Sequence, residues 1–253
     1  SVPIVKFPNF NQALGGFRPR EFTILCGATG VGKTTFLANL SAGFIEQRNP
    51  HFVASVETGA DDFIARVLSV MENKDLNTGG EMTLEEAKRI HLAHASKIEN
   101  DSIHLSLYED RIPVERLMAD IAWYVDNKNC KVAMIDNLNF FMEVTRSNDQ
   151  IIEMDRVIHE LIIFCKKVDV HIIMVMHPKK TETGRVENEF DIKGSSTAVQ
   201  EAHNVFLLNR PHQSMIEDGT ATRYDREIKI VKMRRRGKFS GARFMFKSAV
   251  GVS

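Results

Sequence analysis

One glycine-rich segment carries a lysine and a threonine at the spacing needed to bind a polyphosphate. Residues 27–34 read GATGVGKT, a complete G-x-x-x-x-G-K-[ST] pattern between an apolar run and a helical pattern. Glycines let backbone N–H groups surround phosphate oxygens, and the start of the helix adds partial positive charge. Lys33 is predicted to neutralise the β- and γ-phosphates, and the Thr34 hydroxyl to coordinate Mg²⁺. This segment, the phosphate loop, therefore predicts binding of ATP or another nucleoside triphosphate with Mg²⁺, through Gly27, Ala28, Thr29, Gly30, Val31, Gly32, Lys33, Thr34 and Thr35.

Two further apolar stretches end in an acidic residue, and nucleotide hydrolysis requires acidic groups. Asp136 ends the stretch 131–136 and is predicted to be a metal ligand beside Thr34. Glu57 follows the stretch 51–56 and is the candidate general base for the attacking water. The patterns also allow other roles, because Asp136 can cap a turn and Glu57 can favour the positive start of the next helix.

A histidine and a long polar segment follow the apolar stretch 170–176. His177 stands at the end of this stretch, where an imidazole can hydrogen-bond a γ-phosphate and report its loss. Residues 178–200, the polar loop, supply cations, hydroxyls and amides that suit DNA phosphates without base specificity. A solvated loop without a partner has a similar composition. The predicted DNA-binding residues are Lys179, Lys180, Arg185, Lys193, Gly194 and Ser195.

A basic cluster stands near the end of the chain, in the sequence KMRRRGK at residues 232–238. Strand alternation puts Lys232 and Arg234 on one face and Arg235 on the other. If Lys232 and Arg234 face the nucleotide of a neighbouring subunit, they are catalytic cations supplied in trans. A solvated hairpin edge, whose charges discourage aggregation, is the alternative. Because Arg234, Arg235 and Arg236 are consecutive, the pattern does not decide which of them is the finger.

Strands that alternate with helices are predicted to position these residues. Continuous apolar strands alternating with helices predict an α/β fold with a mostly parallel central sheet flanked by helices. A C-terminal β-hairpin over 227–246 is predicted to extend the sheet in antiparallel fashion. The other predicted strands cover 22–26, 51–56, 103–107, 131–136, 170–176 and 204–209.

The sequence also predicts where several helices begin and how the chain divides into an arm and a domain. Helices are predicted after Thr58 as N-cap, after a capping box at Thr83, and with Pro113 in a first turn. A longer helix is predicted over 150–168. Residues 1–19 are predicted to be an N-terminal arm, and residues 20–253 to form one ATPase domain.

Composition excludes several classes of partner. The 33 Lys and Arg residues balance the 33 Asp and Glu residues, so a nucleic-acid site must be a local patch. Three isolated cysteines in apolar surroundings indicate reduced thiols in a cytoplasm-like compartment. No apolar stretch is long enough to cross a membrane.

Three further residues are predicted to have structural roles. His91 and His94 lack further ligands nearby, so a surface face is favoured over a metal site, and Trp123 is predicted to pack in the core.

In this order, the motifs resemble the RecA-like motor domain of DnaB-like hexameric replicative helicases. The likeness is closest to the branch of mitochondrial Twinkle and bacteriophage primase-helicases, and it spans nearly the whole chain. The most discriminating segments are the His-Pro-Lys sequence at 177–179 and Gly-Ser-x-x-x-x-Gln-Glu-Ala at 194–202. Phosphate loops alone are shared by very many nucleotide hydrolases.

The resemblance implies a P-loop ATPase and helicase that forms a homo-hexameric ring around single-stranded DNA and moves 5′ to 3′. It implies that Glu57 is the catalytic base, Asp136 the metal-binding acid and His177 the γ-phosphate sensor. It further implies that Arg234 is the trans arginine finger, with Lys232 beside it, and that the polar loop grips DNA.

The implied partners are other replication proteins such as a primase or polymerase, and no membrane. The implied location is the host cytoplasm for a phage or bacterial protein and the mitochondrial matrix for a mitochondrial one. Only a short arm precedes residue 20, and upstream regions often help to hold such rings together, so a stable hexamer of this chain alone is not assured. Two other functions stay open: an ATP-dependent recombinase-like filament on DNA, and a nucleotide switch that binds only proteins.

Overall fold

The centre of the fold is one mixed β-sheet, and the predicted site lies at the carboxyl ends of its central parallel strands. The computed structural model describes residues 1–55, 59–72, 89, 92–93, 102–108, 112–137, 147–179, 185–193 and 196–246. Its strands are β1 (Phe22–Gly27), β2 (His51–Ser55), β3 (Ile103–Leu107), β4 (Val132–Asp136), β5 (His171–Met176), β6 (Asn204–Asn209), β7 (Arg226–Met233) and β8 (Arg243–Phe246). Across the sheet they stand in the order β3-β2-β4-β5-β1-β6-β7-β8.

Strands β1 to β6 are parallel, and β7 and β8 are antiparallel. The predicted α/β fold and the predicted hairpin are therefore confirmed. Strands β1, β2, β4, β5 and β6 are buried along their whole length, as expected for parallel strands covered on both faces.

Helices cover the two faces of the sheet. They are α1 (Pro8–Leu14), α2 (Lys33–Glu46), α3 (Ala60–Glu72), α4 (Val114–Lys128), α5 (Ser147–Lys167), α6 (Ser196–Glu201) and α7 (Gln213–Glu217). One apolar core joins α4 and α5 to one face of the sheet, and a second joins α1, α2 and α3 to the other. Neighbouring residues of β1 divide between these cores: Ile24 and Cys26 belong to the first and Leu25 to the second.

Two sequence predictions on α4 were wrong. Pro113 precedes the helix as its N-cap, with an extended ψ of 146°, rather than occupying the first turn. Trp123 is 52% exposed, although it was predicted to pack in the core. Leu117 and Ile121 of the same helix are fully buried. Because each residue turns an α-helix by about 100°, Trp123 lies about 200° from Ile121 and faces outward.

The predicted N-terminal arm is packed onto the domain. Val2 and Phe17 exchange backbone hydrogen bonds of 2.7 and 2.8 Å, which close residues 2–17 into a compact segment. Phe10 is fully buried and lies edge-on to Phe206 of β6, with ring centroids 5.1 Å apart. Residues 2–17 therefore contribute to the same core as α2, and the domain boundary at residue 20 stays a prediction.

The remaining helix predictions have mixed outcomes. Helix α5 begins three residues earlier than predicted and ends one residue earlier. The polar loop is partly helical, because Glu189–Asp191 forms one 3₁₀ turn and α6 covers its end. The predicted caps at Thr58 and Thr83 and the pair His91 and His94 lie outside the described residues.

Cys26, Cys130 and Cys165 are buried free thiols, as predicted. Burial raises the pKa of Cys26 and of Cys165 to about 12, so both stay protonated at neutral pH. Within the part of the chain that the structure describes, no helix is long and apolar enough to cross a membrane.

Two histidines are buried in their neutral form. His171 donates from Nδ1 to the Arg18 carbonyl at 2.7 Å, which leaves Nε2 to accept from the Thr23 hydroxyl at 2.9 Å. His51 makes the equivalent pair of contacts with the Asn49 carbonyl and the Ser41 hydroxyl. Burial lowers the pKa of His51 to about 4 and that of His171 to about 3.

Acidification from pH 7 to pH 5 is therefore expected to destabilise the fold. In this range an unfolded chain protonates both histidines, whereas the folded chain does not, so stability falls as pH falls below about 6.5. The free energy of unfolding should drop by about 2 kcal/mol for each histidine at pH 5. Urea unfolding at the two pH values measures the loss, and His171→Asn should reduce it by about 2 kcal/mol, the share of one buried histidine. Equal stability of the unmutated protein at both pH values would contradict this.

Candidate functional site

The carboxyl ends of three neighbouring strands bring the predicted nucleotide-binding residues together. Strand β5 lies between β4 and β1, with Ile135 paired to Met174 and Cys26 to Met176. Since these strands are parallel, their carboxyl ends lie side by side, which brings together Asp136, His177 and the phosphate loop. A crevice at the carboxyl ends of strands is where ligands bind in open α/β sheets.

The phosphate loop has the backbone shape that its glycines predict. Gly30 and Gly32 adopt φ values of +72° and +97°, a region that other residues seldom occupy. A Cβ atom added at Gly30 would meet nothing within 4 Å, so the loop opens onto free space there. At Gly27 an added Cβ would lie 2.7 Å from the Leu208 carbonyl oxygen, so only glycine fits between β1 and β6.

Lys33 extends its amino group back across the phosphate loop. The side chain is largely buried, with the residue 7% exposed. Its Nζ donates to the carbonyls of Gly27 at 2.8 Å and Ala28 at 3.0 Å. A buried ammonium held by backbone carbonyls of its own loop can exchange them for phosphate oxygens, which bind a cation more strongly.

Thr34 and Asp136 meet as the sequence predicted. The Thr34 hydroxyl donates to Asp136 Oδ2 at 2.8 Å, and Asp136 is 2% exposed. A hydroxyl and a carboxylate are hard oxygen ligands, and Mg²⁺ typically takes one or two protein ligands while keeping several waters. Among the described residues there is no cluster of three His, Cys, Asp or Glu side chains, and Mg²⁺ at Thr34 and Asp136 stays a prediction.

His177 connects the phosphate loop to β4. Its Nδ1 lies 3.5 Å from Lys33 Nζ, and its Nε2 lies 3.2 Å from the side-chain amide of Asn137. The His177 ring therefore lies within hydrogen-bond reach of both the Lys33 ammonium and the Asn137 amide nitrogen.

The polar loop leaves His177 as two paired backbone segments. The His177 carbonyl accepts a hydrogen bond of 3.1 Å from Lys193 N–H, and Lys179 N–H donates to the Asp191 carbonyl at 2.7 Å. The Asp191 carboxylate also accepts from the backbone of Glu187 at 2.8 Å. The start of the loop is thus paired with residues 191–193 directly beside His177.

The predicted DNA-binding residues differ in what holds them. Lys193 is exposed, and Lys179 is exposed but donates to the Phe190 carbonyl at 2.9 Å. Arg185 is engaged in an ion-pair network, 2.9 Å from Glu187 and 3.1 Å from Glu227. Arg185 therefore anchors the loop to β7, whereas its contact with DNA stays a prediction. The other predicted positions, Lys180, Gly194 and Ser195, lie outside the described residues, as does the candidate base Glu57.

Lys232 and Arg234 lie at the opposite end of the strands, where the parallel strands begin. Strand β7 is antiparallel to β6, and the Arg234 backbone donates to the His203 carbonyl at the amino end of β6. Eight residue steps along an extended strand, from Arg226 beside the phosphate loop to Arg234, span about 26 Å. The structure therefore does not bring Lys232 or Arg234 to the phosphate loop of the same chain.

The carboxyl end of α6 holds both of these cations. Lys232 donates to the carbonyls of Val199, at 3.0 Å, and Gln200, and Arg234 donates to the Gln200 carbonyl at 2.8 Å. Cations are favoured at this position because the carbonyl end of a helix is partially negative. Burial lowers the pKa of Lys232, and the neighbouring Arg234 lowers it further.

The two following arginines are held within their own chain. Arg235 lies 3.1 Å from the Glu21 carboxylate, and Arg236 donates to the Gln12 carbonyl at 2.9 Å. Sequence reasoning missed two side chains at the phosphate-loop edge, Asn137 and Arg226. The position of Asn137 directly after a strand-ending acid was a usable signal, whereas nothing local to Arg226 indicated its contact with the phosphate loop.

The sequence of this chain is similar to those of known proteins. The sequence model of the family described as DnaB-like helicase C terminal domain matches residues 4–251. The chain is 22% identical over 212 residues to the DNA helicase/primase of Enterobacteria phage T3, covering 80% of this chain and 38% of that protein. It is 19% identical over 247 residues to the replicative DNA helicase DnaB of Haemophilus influenzae, covering 95% of this chain and 52% of that one. The chain thus spans about half the length of these relatives, or less.

Solved structures show the same fold. A structure described as an ATPase domain superimposes with a TM-score of 0.75 at 17% identity, covering 96% of this chain and 86% of that chain. A DnaB-like replicative helicase, solved in a study of its interactions with primase, gives a TM-score of 0.76 at 16% identity. That match covers 97% of this chain and 60% of the other. The predicted RecA-like fold is confirmed.

Proposed function

Because this chain belongs to the family of DnaB-like helicase C-terminal domains, we propose that it is the ATP-driven motor of a replicative DNA helicase. It hydrolyses ATP at the subunit interfaces of a hexameric ring, moves 5′ to 3′ on single-stranded DNA and unwinds the duplex. The observation that carries this proposal is the meeting of Lys33, Thr34, Asp136 and His177 at one edge of the sheet. In this proposal these side chains supply the cation, the metal ligands and the γ-phosphate sensor of phosphoryl transfer.

Each residue at this edge has a separate chemical task. Lys33 gives up its loop carbonyls and neutralises the β- and γ-phosphates, while Thr34 and Asp136 hold Mg²⁺ directly or through water. When bound, Mg²⁺ neutralises the charge that develops on the phosphates. Glu57 takes the proton of the attacking water. Arg234 and Lys232 of a neighbouring subunit add positive charge from the other side.

A short backbone route connects the γ-phosphate to the polar loop. His177 senses the phosphate through its ring, and its carbonyl holds Lys193 N–H at 3.1 Å. A shift of His177 after hydrolysis therefore displaces the loop segment that carries Lys193 and Lys179, and the grip on DNA phosphates is released. Because the two loop ends are paired at His177, the displacement acts on both.

The proposed partners follow from the proposed function as a helicase motor. Single-stranded DNA passes through the ring, and other replication proteins, such as a primase or polymerase, act beside it. The phage T3 relative is named as a helicase and primase, and one similar structure describes interactions with primase, which supports the primase partner. The three buried thiols fit a reducing, cytoplasm-like compartment.

ATP hydrolysis with and without single-stranded DNA tests the proposal. We expect DNA to stimulate turnover, because the loop that contacts DNA is tied to the γ-phosphate sensor. The phosphate release of Lys33→Ala serves as the blank. Turnover that depends on Lys33 but is indifferent to DNA, in a chain shown by its mass to be hexameric, would contradict the motor and favour a nucleotide switch.

Replacing Lys179 and Lys193 by alanine should weaken DNA binding by an electrostatic mechanism. Each lost phosphate contact is expected to reduce the slope of log affinity against log salt by about 0.7 for single strands. The double variant should therefore lose about 1.4 in slope and most of the DNA stimulation, with basal turnover retained. Lys167→Ala, an exposed lysine at the end of α5, is the matched control. An unchanged slope in the double variant would exclude these lysines from the DNA contact.

A further inference from the structure

Arg226, the first residue of β7, reaches the phosphate loop from the side opposite Asp136 and His177. Its Nε donates to the Val31 carbonyl at 2.6 Å. Strand β6 separates β7 from β1, and the last pair between β6 and β7 is Asn209 with Glu227. Arg226 therefore stands one residue beyond the last β6–β7 pair, still paired with Phe246 of β8, beside the loop that leaves β1.

The guanidinium of Arg226 is fixed by backbone groups. Its Nη1 shares two N–H groups among three carbonyls, those of Arg223 at 3.0 Å, Tyr224 at 2.9 Å and Asp225 at 2.6 Å. With the Val31 carbonyl, four backbone acceptors hold one planar group. Such a group is pre-organised, because arginine presents its donors in a rigid plane.

The same guanidinium lies over Gly32. A Cβ atom added at Gly32 would stand 3.4 Å from Arg226 Nε, and Gly32 has a φ of +97°. Glycine is therefore needed at this position for its backbone conformation, and Arg226 occupies the space beside it. Because Val31 and Gly32 share a peptide bond, holding the Val31 carbonyl also fixes the direction of the Gly32 N–H.

Arg226 is a cation without an acidic partner among the described residues. Its hydrogen bonds all go to backbone carbonyls. Burial lowers the pKa of Arg226, and the positive charge of Arg210 lowers it further, while Asp225 opposes them more weakly. A partly buried cation that has another cation nearby is stabilised when an anion arrives.

We infer that Arg226 is a positioning residue of the phosphate loop, which orients the Val31–Gly32 peptide towards the polyphosphate and adds positive charge on the side away from the γ-phosphate sensor. The sensor and Asp136 lie on the β4 and β5 side of the loop, whereas Arg226 lies on the β6 and β7 side. Arg226 therefore acts on the phosphates that ATP and ADP share. This inference rests on the proposed function, because it requires a nucleotide in the phosphate loop.

Equilibrium binding of fluorescent ATP and ADP analogues with Mg²⁺ tests the inference in the absence of DNA. Arg226→Gln should weaken both nucleotides by about tenfold or more, since hydrogen bonds of charged groups contribute about 1.5–3 kcal/mol. Arg226→Lys should recover part of the affinity, because it restores the charge but not the planar geometry. Arg223→Gln removes a neighbouring arginine that lies over the Tyr224 ring and is the matched control, expected to bind like the unmutated protein.

Urea unfolding without nucleotide separates positioning from a purely structural role. Reduced stability with unchanged affinity for both nucleotides would overturn the inference, and so would a loss confined to ATP. If Arg226→Gln does not fold, Arg226→Lys decides, because affinity equal to that of the unmutated protein would refute the role. If the unmutated protein binds neither nucleotide, the proposed function fails together with this inference, whereas normal binding by Arg226→Gln overturns the inference alone.

Discussion

Replacing Lys33 by alanine is expected to lower ATP turnover by a factor on the order of 10²–10³. Lys33 is the buried cation of the phosphate loop, and its amino group lies within hydrogen-bond reach of two loop carbonyls and near His177. Its removal takes away charge that stabilises the transferring phosphoryl group and also leaves the carbonyls of Gly27 and Ala28 without this donor. The rate of phosphate release at saturating ATP measures the loss.

Two controls show whether the loss at Lys33 is chemical. Lys167→Ala removes an exposed lysine far along the chain and should turn over ATP like the unmutated protein. Urea unfolding of Lys33→Ala should show that the domain remains folded, because the deleted group belongs to the loop and not to either apolar core. A folded Lys33→Ala protein with normal turnover would rule out the phosphate loop as the catalytic site.

Replacing Arg234 by alanine is expected to lower turnover by a factor on the order of 10³ or more, but only through the neighbouring subunit. The span of about 26 Å along β7 places Arg234 out of reach of its own phosphate loop. In the isolated chain Arg234 and Lys232 both donate to the Gln200 carbonyl, so reaching a neighbour's nucleotide requires exchanging that contact for phosphate oxygens. Turnover by assembled rings of the variant measures the effect.

Mixed rings distinguish action in trans from action in cis. An Arg234→Ala subunit retains its own Glu57, and an adjacent Glu57→Gln subunit supplies the intact Arg234. Mixtures of the two inactive variants should therefore recover turnover at the interfaces where the subunits meet in that order. Mixtures that remain inactive, although they assemble into rings, would contradict a finger supplied in trans.

The neighbouring arginines are the matched controls for this assignment. Arg235 is paired with Glu21, and Arg236 is bound to the Gln12 carbonyl, so each is committed to its own chain. Arg235→Ala and Arg236→Ala should retain most of their turnover. A loss as large as that of Arg234→Ala in either variant would move the finger to that position.

The sequence was sufficient for features that depend on local rules. The phosphate loop, the strand-ending Asp136 and the parallel strands were legible because glycine geometry and apolar patterning act over a few residues. Strand bounds agreed to within a residue or so for the same reason. The direction of Trp123 was wrong because it depends on how α4 is rotated against the sheet, which the spacing of Ile121 and Val125 alone did not reveal.

Sequence alone therefore predicted four side chains that the structure brings close together: Lys33, Thr34, Asp136 and His177. Only the tertiary structure decided their neighbours, because strand order places residues far apart in the chain at one edge of the sheet. It brought Asn137 to His177 and Arg226 to Val31, contacts across 40 and 195 residues that no local pattern encodes. It also separated Arg234 from its own phosphate loop. Because β7 runs antiparallel to β6, its last residues lie where the parallel strands begin, whereas the phosphate loop lies where they end.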